Sequence, residues 1–572
     1  MRPFALVATA LVAKSVAVAG AVLGADPRIA LVVLTALPLI ALVLCPGLLL
    51  RGRGRTAYLI GADLLVTVLL FADVLYARSS GRLLSLHLLS QPSGFEGMGS
   101  SVLAMMRWWD LLLFVDLLLL GVLALTARLR GWRLHNPQTK ERGVRWRIGR
   151  VRVVALVVAG SVVAFLVQVM TLTSDPGLRV STLSPLGTHA YEAYTELVDS
   201  HGELTPSERE RVRAWFEANA GFQQAAPEHE DLVGMLEGRD LYIVQFESLE
   251  QVVIDAAPYG EEVTPTINSW LDESLVFDQV LAQVRDGSSS DGELLMLAGV
   301  YPVQSGAAFM RFPDHDGYTT LPRLLADEGY RSIALHNDTE TFWNRDRVYP
   351  HLGFERFIGQ EGFDSGTPLG LGLADTDLFD QALREIDGLP APRFLHLITT
   401  TSHLPWELPE ELQDLDLPGE DATSDYLETV HYTDAALGEF AAGLQERGLL
   451  EQSAIVVVGD HEGPHRYAPE DERWMDGNAG RVPFIVYVPG MDGRRISTSG
   501  GQVDVLPTLA QLFGIDPEQY AEGVMGRTLL GPASGSAVTP DGQVLPGAFG
   551  VEHLREAYGI ADLAISGDWF AE

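Results

Sequence analysis

The chain has one cysteine, Cys45, and two lysines, Lys14 and Lys140, in 572 residues. A lone thiol excludes an intramolecular disulfide and leaves no thiolate cluster to favour zinc. Any exported part must therefore rest on its core and on whatever metal it binds through oxygen and imidazole. Scarce lysine beside abundant arginine, alanine and glycine fits the coding bias of a GC-rich genome; a salty habitat is the other reading. Positive charge as a whole is short: 40 basic residues face 76 acidic ones, a net of −36. No internal repeat and no low-complexity block is present.

The charge is unevenly placed. Residues 1–172 hold 18 basic and 7 acidic residues, a net of +11, and the remainder holds 22 and 69, a net of −47. Phosphate would be repelled from most of that second part, which argues against a nucleic-acid partner. Yet 47% of the chain is hydrophobic and the mean hydropathy is +0.12. A greasy, basic front and an acidic back are two different objects, and the length exceeds one ordinary domain.

The front contains five apolar runs, at 4–23, 30–50, 57–76, 109–127 and 153–172. Each approaches the ~20 residues a helix needs to cross a bilayer core. The first is long and is followed by further spans, so it reads as a retained helix rather than a cleaved signal peptide. Asp63, Asp73, Asp110 and Asp116 fall in or near these runs and are expected to face the bundle interior or the head groups; lipid handling is the sharper alternative. Two basic loops set the orientation: Arg51, Arg53 and Arg55, and the cluster between 128 and 152. Positive loops stay cytoplasmic. An inside N-terminus with five crossings satisfies both and places everything after residue 172 outside. The outer loop 77–107 carries the apolar patch Leu83-Leu-Ser-Leu-His-Leu-Leu89, suited to the membrane surface.

Residues 173–235 read as a helical juxtamembrane linker. Ser174-Asp-Pro-Gly177 ends the last span, and Thr205-Pro-Ser-Glu208 has the form of a helix start. The Arg- and Glu-rich stretch that follows reads as a solvated helix.

From 236 onward, strand-like runs at 241–246, 331–336, 393–399, 453–458 and 482–488 alternate with helix-like stretches at 321–328, 375–386, 426–447 and 503–513. That alternation predicts a mostly parallel central sheet with helices on both faces over 236–531. Residues 532–572 are a small C-terminal element of the same domain.

Leu241-Tyr-Ile-Val-Gln-Phe ends on Glu247, and open α/β sheets place ligands at such carboxyl ends. Ile455-Val-Val-Val-Gly ends on Asp460-His461. Paired acid and imidazole at a strand end serve a metal or a reaction; a structural ion pair is the plain alternative. Ser289, in Gly287-Ser-Ser-Ser-Asp291, precedes a helix-like run, where free N–H groups favour a phosphoryl group; a simple N-cap is the plain alternative. Oxygen donors with one imidazole suit Mn2+, Mg2+ or Zn2+.

Taken in order, Gln245-Phe-Glu247-Ser-Leu249, Gly287-Ser-Ser-Ser-Asp291, Phe342-Trp-Asn-Arg-Asp346, Thr401-Ser-His403, Gly459-Asp-His461, Val482-Pro-Phe484 and Gly501-Gln-Val-Asp-Val-Leu-Pro-Thr508 make a specific set. The chain resembles lipoteichoic acid synthases and related membrane phosphoglycerol transferases of the alkaline phosphatase/sulfatase-like superfamily, over nearly its whole length. The resemblance implies a five-helix transmembrane domain followed by an extracellular sulfatase-like domain. It implies that Glu247, Ser289, Asp460 and His461 bind one divalent metal, Mn2+ first, with Ser289 as nucleophile. It places His336, Asp338, Trp343, Arg345 and His403 around the glycerophosphate group, with Arg345 suited to clamp phosphate oxygens and His403 to protonate a leaving oxygen. Taken singly, Trp343 reads as packing, Arg345 as a partner of Asp346, and His336 as a strand-end core residue.

Two positions depart from the family pattern: Ser289 stands where the family has threonine, and Ser288 where it has lysine. Three consecutive serines leave the register open by one residue. The Cys/Ser-x-Pro-x-Arg pattern of formylglycine sulfatases is absent, since Ser290, Asp291 and Gly292 follow Ser289. The implied activity is transfer of glycerophosphate from phosphatidylglycerol to a glycolipid or polyglycerophosphate hydroxyl through a phosphoryl-serine. The alternatives are a membrane-anchored phosphodiesterase or phosphatase, a phosphoethanolamine transferase (disfavoured by the missing cysteines), and a catalytically silent scaffold.

Overall fold

The computed structural model describes residues 2–23, 29–80, 83–86, 105–129, 143–172, 183–199, 203–223, 228–419, 421–463, 480–531, 536–545 and 550–571. The expected break at 174–177, most of the basic loop 128–142, residues 87–89 of the apolar patch and the stretch 532–535 lie outside these residues. The chain divides into two compact units, 1–86 with 102–200 and 87–101 with 201–572.

In the first unit lie α1 (Arg2–Leu23), α2 (Ile29–Leu44), α3 (Gly52–Ser80), α4 (Val115–Leu129), α5 (Gly143–Leu172) and α6 (Pro185–Asp199). Among the described residues, four segments are long and apolar enough to cross a membrane: Phe4–Val22, Ala30–Leu48, Gly52–Arg78 and Arg150–Gln168. Five were expected. The run at 109–127 is not one uninterrupted helix: a 3-10 segment, Trp108–Phe114, leads into α4, which has 15 residues. Asp110 is the reason. Asp110 accepts the Arg107 backbone N–H at 2.7 Å and takes both arms of Arg78 at 2.6 and 2.7 Å, which tightens the first turns.

All four acids expected inside the bundle have basic partners. Lys14 Nζ lies 2.8 Å from Asp63 and 2.8 Å from Asp116 and donates to Thr67; His189 of α6 meets Asp73 at 3.0 Å; Arg78 holds Asp110. Arg150 at the start of the α5 span donates to the Leu48 carbonyl at 2.7 Å, and the Ser184 N–H bonds Thr35 near the start of α2. The basic loop 51–55 and the foot of the α5 span therefore share one end of the bundle, and the exit of α5 lies at the other. Lys14→Met would leave Asp63 buried without its cation, at a cost of ~3–5 kcal/mol. The expected result is a large fall in the unfolding temperature in detergent, largely recovered by adding Asp63→Leu; an unchanged melting temperature in the single variant would refute the role of the pair.

The second unit is built on an eight-stranded sheet: β1 (Asp240–Phe246), β2 (Ser274–Phe277), β3 (Arg331–His336), β4 (Arg356–Ile358), β5 (Arg393–Ile398), β6 (Ser453–Gly459), β7 (Phe484–Tyr487) and β8 (Arg494–Ile496). Their spatial order is β8-β2-β7-β6-β1-β5-β3-β4. β1 lies at the centre, parallel to β5 and β6; only β7 runs against its neighbours. Alternate residues of β1 enter two different cores, Leu241 and Ile243 on one face, Tyr242, Val244 and Phe246 on the other. A strand covered on both faces needs no polar alternation, which is why its sequence is a near-continuous apolar run.

The linker helix α7 (Pro206–Gln223) is not solvated all round. Val212, Trp215, Phe216, Asn219 and Gln223 are buried within the second unit. Trp215 stacks on His553 at 4.1 Å, and the Asn219 and Gln223 amides donate to carbonyls of Val524, Met525 and Gly526. The basic and acidic residues occupy only the opposite face.

Candidate active and metal-binding site

Three parallel strands deliver groups to one edge of the sheet. β1 and β6 pair with Phe246 opposite Gly459, so the next residues, Glu247 and Asp460, emerge side by side, with His461 following. β5 supplies Thr399, whose hydroxyl accepts the Glu247 N–H at 3.0 Å. Ser248 adopts φ +56°, a left-handed conformation that costs on the order of 1 kcal/mol or more for a residue with a Cβ. In return its N–H reaches Asp460 Oδ1 at 2.8 Å and its hydroxyl reaches Glu247 Oε1 at 2.7 Å.

Ser289 opens the helix α8 (Ser289–Ala298). The N-cap is Ser288, at φ +43° and without a side-chain cap bond, so the plain alternative of a simple N-cap does not apply to Ser289. The Ser290 hydroxyl turns back to the Gly287 carbonyl at 2.8 Å. The Ser289 hydroxyl instead lies 3.3 Å from Glu247 Oε2 and 3.5 Å from His461 Nε2. Gly292 explains the close seat of α8: a Cβ there would stand 2.9 Å from the Asp460 carbonyl oxygen, so the helix rests directly on that main chain.

Glu247, Asp460 and His461 each turn one ligand atom to a common point, all within 4.8 Å of one another. His461 Nδ1 faces the Glu462 carbonyl at 2.9 Å. A carbonyl only accepts, so Nδ1 carries a proton, and Nε2, 3.2 Å from Glu247 Oε1, is the nitrogen a metal would take once its own proton leaves. Asp460 is fully buried, yet its Oδ2 has no hydrogen-bond partner. Burial and the adjacent Glu247 push the Asp460 carboxyl up to about 7. Burial pulls His461 down, but Asp460 and Glu247 outweigh it and carry the imidazole up to about 10. Burial also raises Glu247, whereas the His461 and His403 charges hold it below the usual carboxylate range. The cluster thus draws positive charge to itself by keeping protons; Asp460 Oδ2 has no hydrogen bond and faces His461 Nε2 at 3.7 Å, and these three groups are the ones that could hold a cation.

The remaining expected residues surround this point unevenly. His336 closes β3; its Nδ1 donates to the Ile398 carbonyl at 3.1 Å, and burial, then Arg345, keep it well below its usual range. His403 bonds the Leu404 carbonyl through Nδ1 at 2.7 Å, leaving Nε2 for a ligand. Asp338 accepts the Thr339 N–H at 2.6 Å, and burial raises its carboxyl. Trp343, at φ +59°, is half-buried with its ring 5.7 Å from Phe342. Arg345 does not pair with Asp346. It is 1% exposed and binds Glu293, with Nη2–Oε1 at 2.6 Å, while Nη1 contacts His336 Nε2 at 3.1 Å. Sequence reasoning missed Glu293, Thr399 and Gln502, whose amide donates to the Asp460 carbonyl at 2.6 Å. Glu293 had a legible signal: it is an acid in an apolar helix, four residues from Ser289 and on the same face.

Residues 239–515 match the sulfatase family model, and residues 1–202 match the lipoteichoic acid synthase N-terminal domain. The chain is 30% identical over 491 residues to a lipoteichoic acid synthase-like protein, YvgJ, of Bacillus subtilis, covering 82% of this chain and 78% of that one. It belongs to the lipoteichoic acid synthase-like family. Lipoteichoic acid synthase 1 of B. subtilis is 29% identical over 500 residues, covering 83% and 75% of the two chains. The lipoteichoic acid synthase of Staphylococcus aureus is 29% identical over 503 residues, covering 83% and 75%. The crystal structure of the lipoteichoic acid synthase LtaP from Listeria monocytogenes shares the fold, with a TM-score of 0.54 and 23% identity over 62% of this chain and 98% of that one. With its apolar helices and this family's N-terminal domain, the chain is a membrane protein with a sulfatase-like α/β domain.

Proposed function

We propose that the protein transfers glycerophosphate from phosphatidylglycerol to an acceptor hydroxyl on a glycolipid or growing polyglycerophosphate chain. The observation that carries this reading is the Ser289 hydroxyl held between Glu247 and His461, beside the orphaned Asp460 oxygen. Relatives carrying the name lipoteichoic acid synthase, matched over 75% of their own length, support the substrate class. Glu247, Ser289, Asp460 and His461 would hold one divalent ion, Mn2+ by the family resemblance. When bound, it lowers the pKa of the serine hydroxyl and offsets charge on phosphoryl oxygens.

In the first half-reaction the Ser289 hydroxyl gives its proton to Glu247 Oε2, its oxygen bonds to phosphorus and the bond to the diacylglycerol oxygen breaks. His403 Nε2 gives the leaving oxygen its proton. By the family resemblance His336, Asp338, Trp343 and Arg345 line the glycerophosphate site, with His336 and Arg345 bonded to each other there. In the second half, His403 takes the proton of the acceptor hydroxyl, whose oxygen displaces Ser289 from phosphorus, and Glu247 returns the proton to the serine oxygen. Splitting the transfer in two is ordinary covalent catalysis.

The reading puts the catalytic domain outside the cell. The 3-10 segment and α4 together span about 36 Å at ~2.0 and ~1.5 Å per residue, enough for a fourth crossing between α3 and α5. Five crossings agree with the shared end of the two basic segments, the cytoplasmic end by the charge rule. The division at residues 172, 235 and 531 belongs to the same reading, with α7 packed on the catalytic domain.

Vesicles containing the full chain, Mn2+, labelled phosphatidylglycerol and an acceptor glycolipid test it. Labelled glycolipid or polymer is the expected product. Free glycerol phosphate alone would instead favour hydrolysis, and no consumption with no metal bound would favour a silent scaffold.

A further inference from the structure

We propose that Glu293 is a positioning residue for the transfer reaction, acting through Arg345 on the groups that face the substrate. The inference rests on the functional reading above. Glu293 is fully buried on α8, four residues after Ser289 and on the same face of the helix. Its Oε1 accepts Arg345 Nη2 at 2.6 Å and Nε at 3.1 Å; its Oε2 accepts the Tyr349 hydroxyl at 2.7 Å. Arg345 and Tyr349 lie on one short helix, Arg345–Leu352, so a single carboxylate pins that helix to the one bearing the nucleophile.

The hydrogen bonds run on in one direction. With Nε and Nη2 taken by Glu293, Arg345 keeps Nη1 for His336. His336 has already given its Nδ1 proton to the Ile398 carbonyl, so its Nε2 accepts from Arg345. Arg345 is thus no free phosphate fork: its Nη1 goes to His336 and, at 3.4 Å, to the Phe342 carbonyl, and Glu293 fixes where the guanidinium stands. Stability alone does not explain the arrangement, because a buried ion pair is no more stabilising than well-packed apolar side chains of the same volume. Spacing the nucleophile from the phosphate-facing groups does explain it, and an error of about 1 Å in such spacing costs on the order of 10²-fold in rate.

The test uses the full chain in vesicles with labelled phosphatidylglycerol. Glu293→Gln keeps the shape and removes the charge. Its kcat is expected to fall about 10²-fold while the donor KM and Mn2+ affinity stay within about threefold. In an Arg345→Met background the same change should cost less than about threefold, because the path is already broken. Tyr349→Phe removes one bond to Glu293 and should lower kcat by about tenfold; it decides the matter if Glu293→Gln fails to fold. Wild-type kcat in either variant, or full additivity with Arg345→Met, overturns the proposal. Undiminished turnover in Ser289→Ala would instead overturn the underlying reading, whatever Glu293 does.

Discussion

Ser289→Ala is expected to lower glycerophosphate transfer by at least about 10⁴-fold, since no other oxygen takes the place of the nucleophile. The fold should survive. The lost hydroxyl makes only long contacts, 3.3 Å to Glu247 and 3.5 Å to His461, and alanine suits the first turn of a helix, so the stability change should stay within about 1 kcal/mol. Metal binding should persist through Glu247, Asp460 and His461. Ser289→Thr restores a hydroxyl and should restore turnover. The comparison needs labelled phosphatidylglycerol, a melting curve and metal content for each variant. Turnover by the alanine variant at the wild-type rate would falsify the nucleophile assignment.

Stripping the divalent ion with a chelator should abolish transfer, and adding Mn2+ should restore it. The pH dependence of reloading follows from the donor set. Without a cation, His461 holds its proton up to about 10 and Asp460 up to about 7, while Glu247 is held ionised. An ion must displace these protons. Between about pH 7 and 10 one proton competes, and apparent affinity should weaken about tenfold for each unit the pH falls; below 7 two compete, and the slope steepens. Moving from pH 8 to pH 6 should therefore raise the Kd by on the order of 10²-fold or more. Calorimetric titration in buffers of different ionisation heat measures the released protons directly. A Kd that does not change with pH would rule out the Asp460–His461 pair as ligands.

The parts of the site legible in the sequence are those written along one strand. β1 and β6 are buried on both faces, so each reads as an apolar run ending abruptly on Glu247 or on Asp460-His461. A break of that kind survives without any knowledge of neighbours. What was illegible depends on distant pairing. Arg345 and Glu293 are 52 positions apart, and the adjacent Asp346 offered a false partner. The helix at 206–223 reads as solvated because its charges are conspicuous. Its buried face, Val212, Trp215, Phe216, Asn219 and Gln223, still follows the helical repeat, but two of those five residues are amides that a hydrophobic count passes over. The interrupted fourth apolar run was hidden for a similar reason: Asp110 and Arg78 break it, and they lie 32 residues apart.

The seat of α8 on the Asp460 main chain has a consequence for how the centre responds to its surroundings. Where residue 292 has no side chain, the distance from hydroxyl to ligands is fixed by peptide against peptide, a contact without charge and without rotamers. Residues 173–572 hold 69 acids against 22 bases, and the mutual repulsion of those at the surface rises and falls with dissolved salt. That swelling pressure acts on the outer layer, whereas the spacing at the reacting oxygen is a matter of backbone thickness and so stays the same in dilute and concentrated brine.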